Sequence, residues 1–314
     1  MFAFIAAEKA CHSVTTLCRV LGVSRSGYHA WRIRRPCRRA LEDERLTARI
    51  REIHRENRGV YGSPRVHAEL VLGDGERVAR KRVERLMREA GVSGLIRRRR
   101  GRTTIRVPGV RVCEDLVDRD FAAEAPNRIW VADITYLRTW QGWLYLVTVQ
   151  DLYSRRIVGW SMADHMRTEL VVNALQMALA RRRPARGLIW HSDQGSQFVS
   201  LAFGQQARAA GIAQSMGSRG DCYDNSVAES FFATLKKELV DRRSWPEKGE
   251  LRSEIFDFIE VFYNRRRRHS TLGMLSPLDY ENGTLGSDGV SVAASRLTST
   301  EKMTITATAE TINA

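Results

Sequence analysis

Three carboxylates occupy positions where an acidic residue could do chemistry. Asp133 interrupts the apolar and aromatic run WVADITYL, which predicts a β-strand, although Asp is depleted in strands. Asp193 directly follows the apolar run LIWHS, at the carboxyl end of a second predicted strand, where open α/β sheets place their sites. Glu229 falls in the first turn of a predicted helix, and 35 residues separate it from Asp193. Each has a structural alternative: a solvated Asp, a turn former and a helix cap.

Together the three residues form a set of oxygen ligands. Such a set can hold two Mg²⁺ or Mn²⁺ ions roughly 3.5–4 Å apart. One ion would activate an attacking water or 3′-hydroxyl, and the other would stabilise the leaving oxygen of a phosphodiester. Phosphoryl transfer requires little beyond position and charge, so Asp133, Asp193 and Glu229 are predicted to be both catalytic and metal-binding.

Further polar residues flank the three carboxylates. His191 and Gln194 adjoin Asp193, and Asn225 precedes the helix of Glu229, so these three are predicted to lie behind the metal ligands and orient them. For His191, a purely structural role remains open. Lys236 lies two helical turns after Glu229 and on the same face, where it is placed to hold DNA. A solvated lysine is its alternative.

The order of predicted elements supplies a fold that would position these residues. From Asn127, three β-rich runs are separated by short turns, which predicts antiparallel pairing. Helices and strands then alternate. This is the order of an RNase H-like α/β core, a mixed five-stranded sheet with flanking helices, predicted over residues 122–282. The Gly-, Ser- and Thr-rich residues 283–314 are predicted to form a disordered tail.

The positive charge is concentrated in the first third of the chain. The 314 residues carry 51 Lys and Arg against 36 Asp and Glu, a net charge of +15. Residues 1–110 contain 26 basic and 11 acidic residues, so the whole excess lies there. Such clustering indicates a polyanion as partner, most commonly nucleic acid, although a solvated basic surface is the alternative.

The basic region is predicted to be all-α and to bind DNA. Residues 13–35 read as a helix, a turn at Gly22 and a second helix capped by Ser24, which is typical of a helix-turn-helix, although an ordinary helical hairpin remains open. We predict a helix-turn-helix-like region over 1–56, and a second small helical DNA-binding unit with a basic linker over 57–110. The predicted DNA-binding arginines are Arg25, Arg97, Arg98, Arg99, Arg100, Arg265 and Arg266.

Composition also excludes several classes of protein. No run of 18 apolar residues is present, so no membrane-spanning helix is expected, and the start does not resemble a secretory signal. The five cysteines include no CxxC pair, which suits reduced thiols better than disulfides or a zinc site. We expect a cytoplasmic protein without membrane contact.

Three segments carry a resemblance to a known family. VADITYL, HSDQGSQF with SRGDCYDNSVAESFFATLKKEL, and YNRRRRHSTLGMLSPLDY resemble the integrase-core transposases of the IS-three group of insertion sequences, specifically the product of their second reading frame, OrfB. The similarity runs over about residues 5–281.

The resemblance implies an activity and partners. The family's catalytic triad falls on Asp133, Asp193 and Glu229, and its basic residue after the glutamate falls on Lys236. Family members cut a 3′ end of the element by hydrolysis and join that 3′-hydroxyl to DNA by transesterification, using two metal ions. Expected partners are double-stranded DNA, namely the terminal inverted repeats and the target, other copies of the chain on DNA, and the upstream OrfA product.

Three other functions compete with this interpretation. A retroviral-type integrase would carry an N-terminal HHCC zinc module, which the sequence lacks. A cellular RNase H would not need the basic helical region. The third is a DNA-binding regulator of transposition with no catalysis of its own. Loss of a triad carboxylate would favour the regulator, and all three are present.

Overall fold

The computed structural model describes residues 1–95, 123–193, 195, 197–216 and 226–285. Three short helices and three further helices precede a five-stranded sheet that helices cover on both faces. Within the described ranges, no helix is long and apolar enough to cross a membrane.

The first three helices form a small unit with its own core. They are α1 (Phe2–Glu8), α2 (Val14–Val20) and α3 (Arg25–Ile33). The Ser24 side chain caps α3 by accepting a hydrogen bond from Gly27 N at 3.0 Å, and Gly22 in the turn has a φ of 64°. The predicted helix, turn and helix with Ser24 as cap are confirmed. Their apolar faces meet at Ile5, Leu17, Cys18 and Tyr28.

The next helices share a core with the sheet. They are α4 (Arg38–Glu56), α5 (Ser63–Ala68), which continues as a π-helical turn (Glu69–Gly73), and α6 (Arg80–Glu89). Ile50, Val83 and Leu86 are buried in the same apolar cluster as Leu137 and Leu146 of the sheet. The helices α4–α6 are thus packed on the sheet, and α4 packs with α5 and α6. The unit limits 1–56, 57–110 and 122–282 remain predictions.

The sheet is mixed and has the order β3-β2-β1-β4-β5. β1 pairs antiparallel with β2, and β2 with β3, whereas β4 pairs parallel with both β1 and β5. This sheet confirms the predicted α/β fold with a mixed five-stranded sheet. Apolar, β-branched runs fill its strands, which explains why these segments are extended. The strands are β1 (Ile129–Thr139), β2 (Gly142–Asp151), β3 (Ile157–Ala163), β4 (Ile189–Ser192) and β5 (Ala213–Met216).

Helices cover both faces of the sheet. The helices α7 (Thr168–Arg182) and α8 (Leu201–Ala209) enclose one core, which contains Trp130 and Trp190. The helix α9 (Ser226–Glu238) closes the core shared with α4–α6.

The C-terminal part differs from the sequence-based expectation. The segment LRSEIFDFIEVFYNRRRRHS, residues 251–270, predicts one amphipathic helix, but α10 (Lys248–Asp257) passes into a π-helical turn (Phe258–Tyr263). The last helix, α11 (Pro277–Leu285), includes residues 283–285 of the predicted tail. Ser276 caps the start of this helix by accepting a hydrogen bond from Asp279 N. The rest of the predicted tail, 286–314, lies outside the described residues.

The motif YNRRRRHS joins several parts of the molecule. The Asn264 side chain donates to Ile157 O and accepts from Ile157 N, both at 2.9 Å, at the start of the edge strand β3. Arg267 makes two hydrogen bonds to Glu238, and Arg268 binds Glu69 at 2.7 Å. Half of the four-arginine run is therefore structural.

Candidate active site

Asp133 lies in the middle of β1, and its carboxyl is largely desolvated. Its Oδ1 accepts a hydrogen bond from Ile134 N at 2.7 Å. Burial raises the pKa of Asp133 to about 7, with further upward contributions from Asp193 and Glu229, whereas Ile134 N and the charge of Lys236 act in the opposite direction. The carboxylates thus lie within electrostatic reach of one another.

The strand register brings Asp193 beside Asp133. Ala132 of β1 pairs with Ser192, the last residue of β4; Asp133 is the next residue of β1, and Asp193 is the first residue after β4. Asp193 is exposed, and its Oδ1 accepts a hydrogen bond from Gly195 N at 3.1 Å, which fixes the turn after β4. A Cβ on residue 195 would lie 3.0 Å from that same oxygen, so glycine suits this position.

Glu229 approaches the aspartates from α9. Val227 and Ala228, immediately before it, are buried in a cluster with Val131 of β1, and this contact anchors the start of α9. Although the Glu229 side chain is largely exposed, partial burial raises the pKa of its carboxyl. It lies in the first turn of α9, as predicted, where the helix dipole favours a negative charge.

A cavity of about 530 Å³ opens in front of these strands. Asp133 and Asp193 line it, with Gly195 and Gln197 beside them. Within the described part of the chain, no three His, Cys, Asp or Glu side chains already stand close enough to hold one metal ion together. The donor set nonetheless fits divalent ions, because hard oxygen ligands suit Mg²⁺ and a cation would relieve the repulsion that raises the pKa of Asp133.

Lys236 extends from α9 to the rim of this cavity. Its Nζ lies 5.6 Å from the centroid of the Tyr136 ring, a cation–π contact, and its charge acts on Asp133. This contact places Lys236 near Tyr136 of β1, and its predicted role in holding DNA stays a prediction.

The other predicted residues contact other parts of the molecule, are exposed or lie outside the described residues. His191 is buried in β4, with Nδ1 3.0 Å from Ser215 Oγ. Arg25 is exposed at the first residue of α3, and Arg265 and Arg266 are exposed after the π-helical turn. The remaining predicted residues lie outside the described part: Arg97, Arg98, Arg99, Arg100, Gln194 and Asn225.

Two aromatic residues of the cavity were not predicted from the sequence. Tyr136 and Trp143 are 60% and 45% exposed, and their rings meet edge to face at 5.2 Å. Two exposed aromatic residues that touch each other next to carboxylates are unusual for a sheet surface. The signal was the density of aromatic residues around the β1–β2 turn, which also includes Trp140.

Family comparisons agree with this architecture. The Integrase core domain family matches residues 123–222, and a second family of the same description matches residues 210–277. The HTH-like domain family matches residues 41–100, which include α4–α6. The fold thus defines an integrase catalytic core, and proteins with this core are polynucleotidyl transferases.

Individual relatives identify the family more narrowly. The chain is 42% identical over 261 residues to the Insertion element IS600 uncharacterized 31 kDa protein of Shigella sonnei, covering 83% of this chain and 96% of that one. It is 39% identical over 291 residues to Transposase InsF for insertion sequence IS3A of Escherichia coli (strain K12), covering 90% and 99%. The chain belongs to the transposase family of the IS3 insertion sequences.

Solved structures give a more distant likeness. The HTLV-2 integrase catalytic core domain in complex with magnesium is 16% identical, with a TM-score of 0.40, covering 51% of this chain and 99% of that one. An intasome of simian T-cell lymphotropic virus is 13% identical, with a TM-score of 0.43, covering 73% of each chain.

Proposed function

We propose that Asp133, Asp193 and Glu229 are the catalytic carboxylates of this transposase and hold two Mg²⁺ or Mn²⁺ ions. The enzyme would cleave the ends of an insertion sequence and join the freed 3′-hydroxyl to DNA. The observation that carries this proposal is the β1–β4 register, because it sets two aspartates side by side at adjacent strand positions.

Each residue has a distinct part in this chemistry. Bound ions would supply charge that activates the attacking oxygen and stabilises the leaving one. Asp133 offers a desolvated carboxylate on a rigid central strand, which fixes the position of the site. Asp193 offers a more solvated carboxylate whose orientation the Gly195 amide sets. Glu229 completes the set from α9, and Lys236 on the same helix binds a phosphate of the DNA end.

The partners follow from the same proposal. The substrates are double-stranded DNA at the terminal inverted repeats and at the target. Exposed Arg25, Arg265 and Arg266 are available for its backbone. We infer that several copies act together on DNA, that the upstream OrfA product assists them, and that the protein works at the bacterial nucleoid in the cytoplasm.

A strand-transfer assay with Glu229→Gln tests the catalytic assignment. A labelled, pre-cut element end is incubated with target DNA and Mg²⁺ or Mn²⁺, and joined products are counted. Glu229→Gln keeps the size of the side chain but removes a metal-binding charge, so we expect at least a 10²-fold loss of product, in line with the loss of a transition-state electrostatic contact.

A matched control is Glu44→Gln, which neutralises an exposed glutamate of α4. It should leave product formation unchanged. Equal activity of wild type and Glu229→Gln would overturn the assignment. If neither protein joins DNA, adding the upstream segment separates a transposase that needs this partner from a regulator that does not cleave.

A further inference from the structure

A second cavity lies against α9, beside the face that carries Glu229 and Lys236. It measures about 430 Å³. On α9 it is lined by Ser230, Thr234 and Lys237, which form the helical stripe next to that of the carboxylate. Arg65 of α5 also lines it, so the helical region and the catalytic core both contribute to its wall.

The lining of this cavity is rich in positive charge. Arg65, Arg155, Lys237 and Arg267 face a single lining carboxylate, Glu238. Glu238 pairs with Arg267 at 2.6 Å and with Arg65 at 3.5 Å. Among the described residues, no carboxylate pairs with the Arg155 guanidinium. Among the described residues of the lining, cationic side chains therefore outnumber anionic ones.

The pKa values of three basic side chains that line the cavity are shifted downward. Burial lowers the pKa of Arg155, and burial together with the charge of Arg267 lowers that of Arg65. Burial also lowers the pKa of His269 well below its ordinary value, and the charges of Arg267, Arg65 and Arg155 lower it further. Partly buried cations without enough carboxylates are costly, and an anion in the cavity would offset that cost.

The backbone at Arg155 carries an independent sign of function. Its φ is 62°, in the left-handed region that favours glycine or asparagine. Two hydrogen bonds to the backbone of Arg155 hold it there. Its N–H donates to Asp151 O at 2.9 Å, and its carbonyl accepts from the side-chain Nε2 of Gln150 at 2.7 Å. An arginine at a site where glycine would be less strained indicates that its side chain is needed.

We propose that this cavity binds a phosphate group of the DNA backbone, with Arg155 as the main cation and Arg65 and Lys237 beside it. This proposal rests on the proposed function, in which the DNA end lies at the carboxylates. Because α9 lines this cavity and also carries Glu229 and Lys236, DNA held at the carboxylates can continue along the helix to this cavity. The ligand is a phosphodiester and not a base, so binding here is independent of sequence.

The variant Arg155→Gly separates a binding role from a structural one. Glycine suits a φ of 62°, so its Tm should equal or exceed that of the wild type. Binding of a fluorescein-labelled random-sequence duplex, followed by anisotropy across a salt series, should weaken about 3- to 10-fold. The plot of log K against log salt concentration has a negative slope. The magnitude of this slope should decrease by about 1, as expected for one lost phosphate contact.

The control for the loss of one positive charge is Arg51→Gln. Arg51 is exposed on α4 and lies outside the cavity lining, so affinity and salt slope should match the wild type. Unchanged affinity and slope in Arg155→Gly would overturn the proposal, as would a lower Tm with unchanged affinity.

Two further arms identify the ligand and separate the two proposals. If inorganic phosphate raises the Tm of the wild type while Arg155→Gly binds DNA normally, the cavity takes free phosphate and the DNA proposal is overturned. The binding assay is also run without metal in a Glu229→Gln background, where the effect of Arg155→Gly should persist. A persistent effect supports the phosphate site even if strand transfer fails. If Arg155→Gly has no effect in this background, the phosphate site is contradicted and the catalytic assignment is not affected.

Discussion

At the scale of single residues, Asp133 is held in an environment that disfavours its charge. It lies in a sheet between apolar residues, and neighbouring carboxylates add to the effect of burial on its pKa. Active sites commonly retain such groups at a cost in stability, because the same groups bind the ligand. The cost can be measured by removing the charge.

We expect Asp133→Asn to be more stable than the wild type without metal at pH 8. The carboxyl has a pKa of about 7 when folded, against 3.8 as its ordinary value. Because folding raises this pKa, the contribution of the protonated carboxyl to the free energy of unfolding is fully present below pH 3.8. It is lost as pH rises through about 7, where the buried carboxyl ionises. The advantage of the variant should therefore shrink as pH falls from 8 towards 4, as measured by thermal unfolding with EDTA present.

Added Mn²⁺ should narrow the difference in stability between the two proteins. At about 100 times its Kd, a ligand of the native state stabilises by roughly 2.7 kcal/mol, and this gain should appear in the wild type and not in Asp133→Asn. Asp241→Asn, at an exposed aspartate, is the control and should respond as the wild type does. Equal Mn²⁺ stabilisation of both Asp133→Asn and the wild type would show that Asp133 is not a ligand.

At the scale of elements, the contact between β3 and α7 depends on one glycine. A Cβ on Gly159 would lie 2.8 Å from Ala178 Cβ and 2.9 Å from Ala178 N. Gly159→Ala should therefore push α7 from the sheet and cost about 1–3 kcal/mol in urea unfolding. Gly249→Ala in α10 meets nothing within 4 Å and should be neutral or slightly stabilising. Equal stability of both variants would contradict this close packing.

The sequence allowed the main elements to be predicted, but not their irregularities. The strands β1 to β5 follow from short apolar, β-branched runs bounded by turns, and these signals are local. The π-helical turn Phe258–Tyr263 was missed because helical periodicity continues through it. The contacts of Asn264 with Ile157 were missed as well, since they join residues 107 positions apart.

The candidate site was predictable to a similar degree. Asp133 and Asp193 were identifiable because each marks a strand position, so the strand order implied that they are neighbours. The exposed pair of Tyr136 and Trp143 depends on where β4 ends beside β1. The left-handed backbone of Arg155, and its lack of a carboxylate partner among the described residues, depend on the turn before β3 and on burial by distant residues, neither of which leaves a local pattern.

At the scale of the whole molecule, α4–α6 and the sheet form one cooperative unit. Beyond the shared core, Arg58 pairs with Glu254 at 2.8 Å, and Arg268 with Glu69 at 2.7 Å. In the described part of the chain, the apolar cluster of α1–α3 contains only side chains of the first 28 residues. The helix-turn-helix-like unit therefore has a separate core.

Truncation tests this division. Removing residues 1–37 should leave a single thermal transition, followed by circular dichroism, within a few degrees of the wild-type Tm. Removing residues 1–95 should abolish the cooperative transition, because it uncovers buried apolar residues of the sheet and of α9. A cooperative transition in the longer deletion, or its loss in the shorter one, would contradict the shared core.

The Asn264 side chain also limits how this chain can associate with itself. It occupies both backbone hydrogen-bonding groups of Ile157, at the point where an added strand would begin to pair with β3. Open sheet edges promote aggregation and strand exchange between molecules. Edge-to-edge pairing of two copies of this chain is thus discouraged at this point of β3.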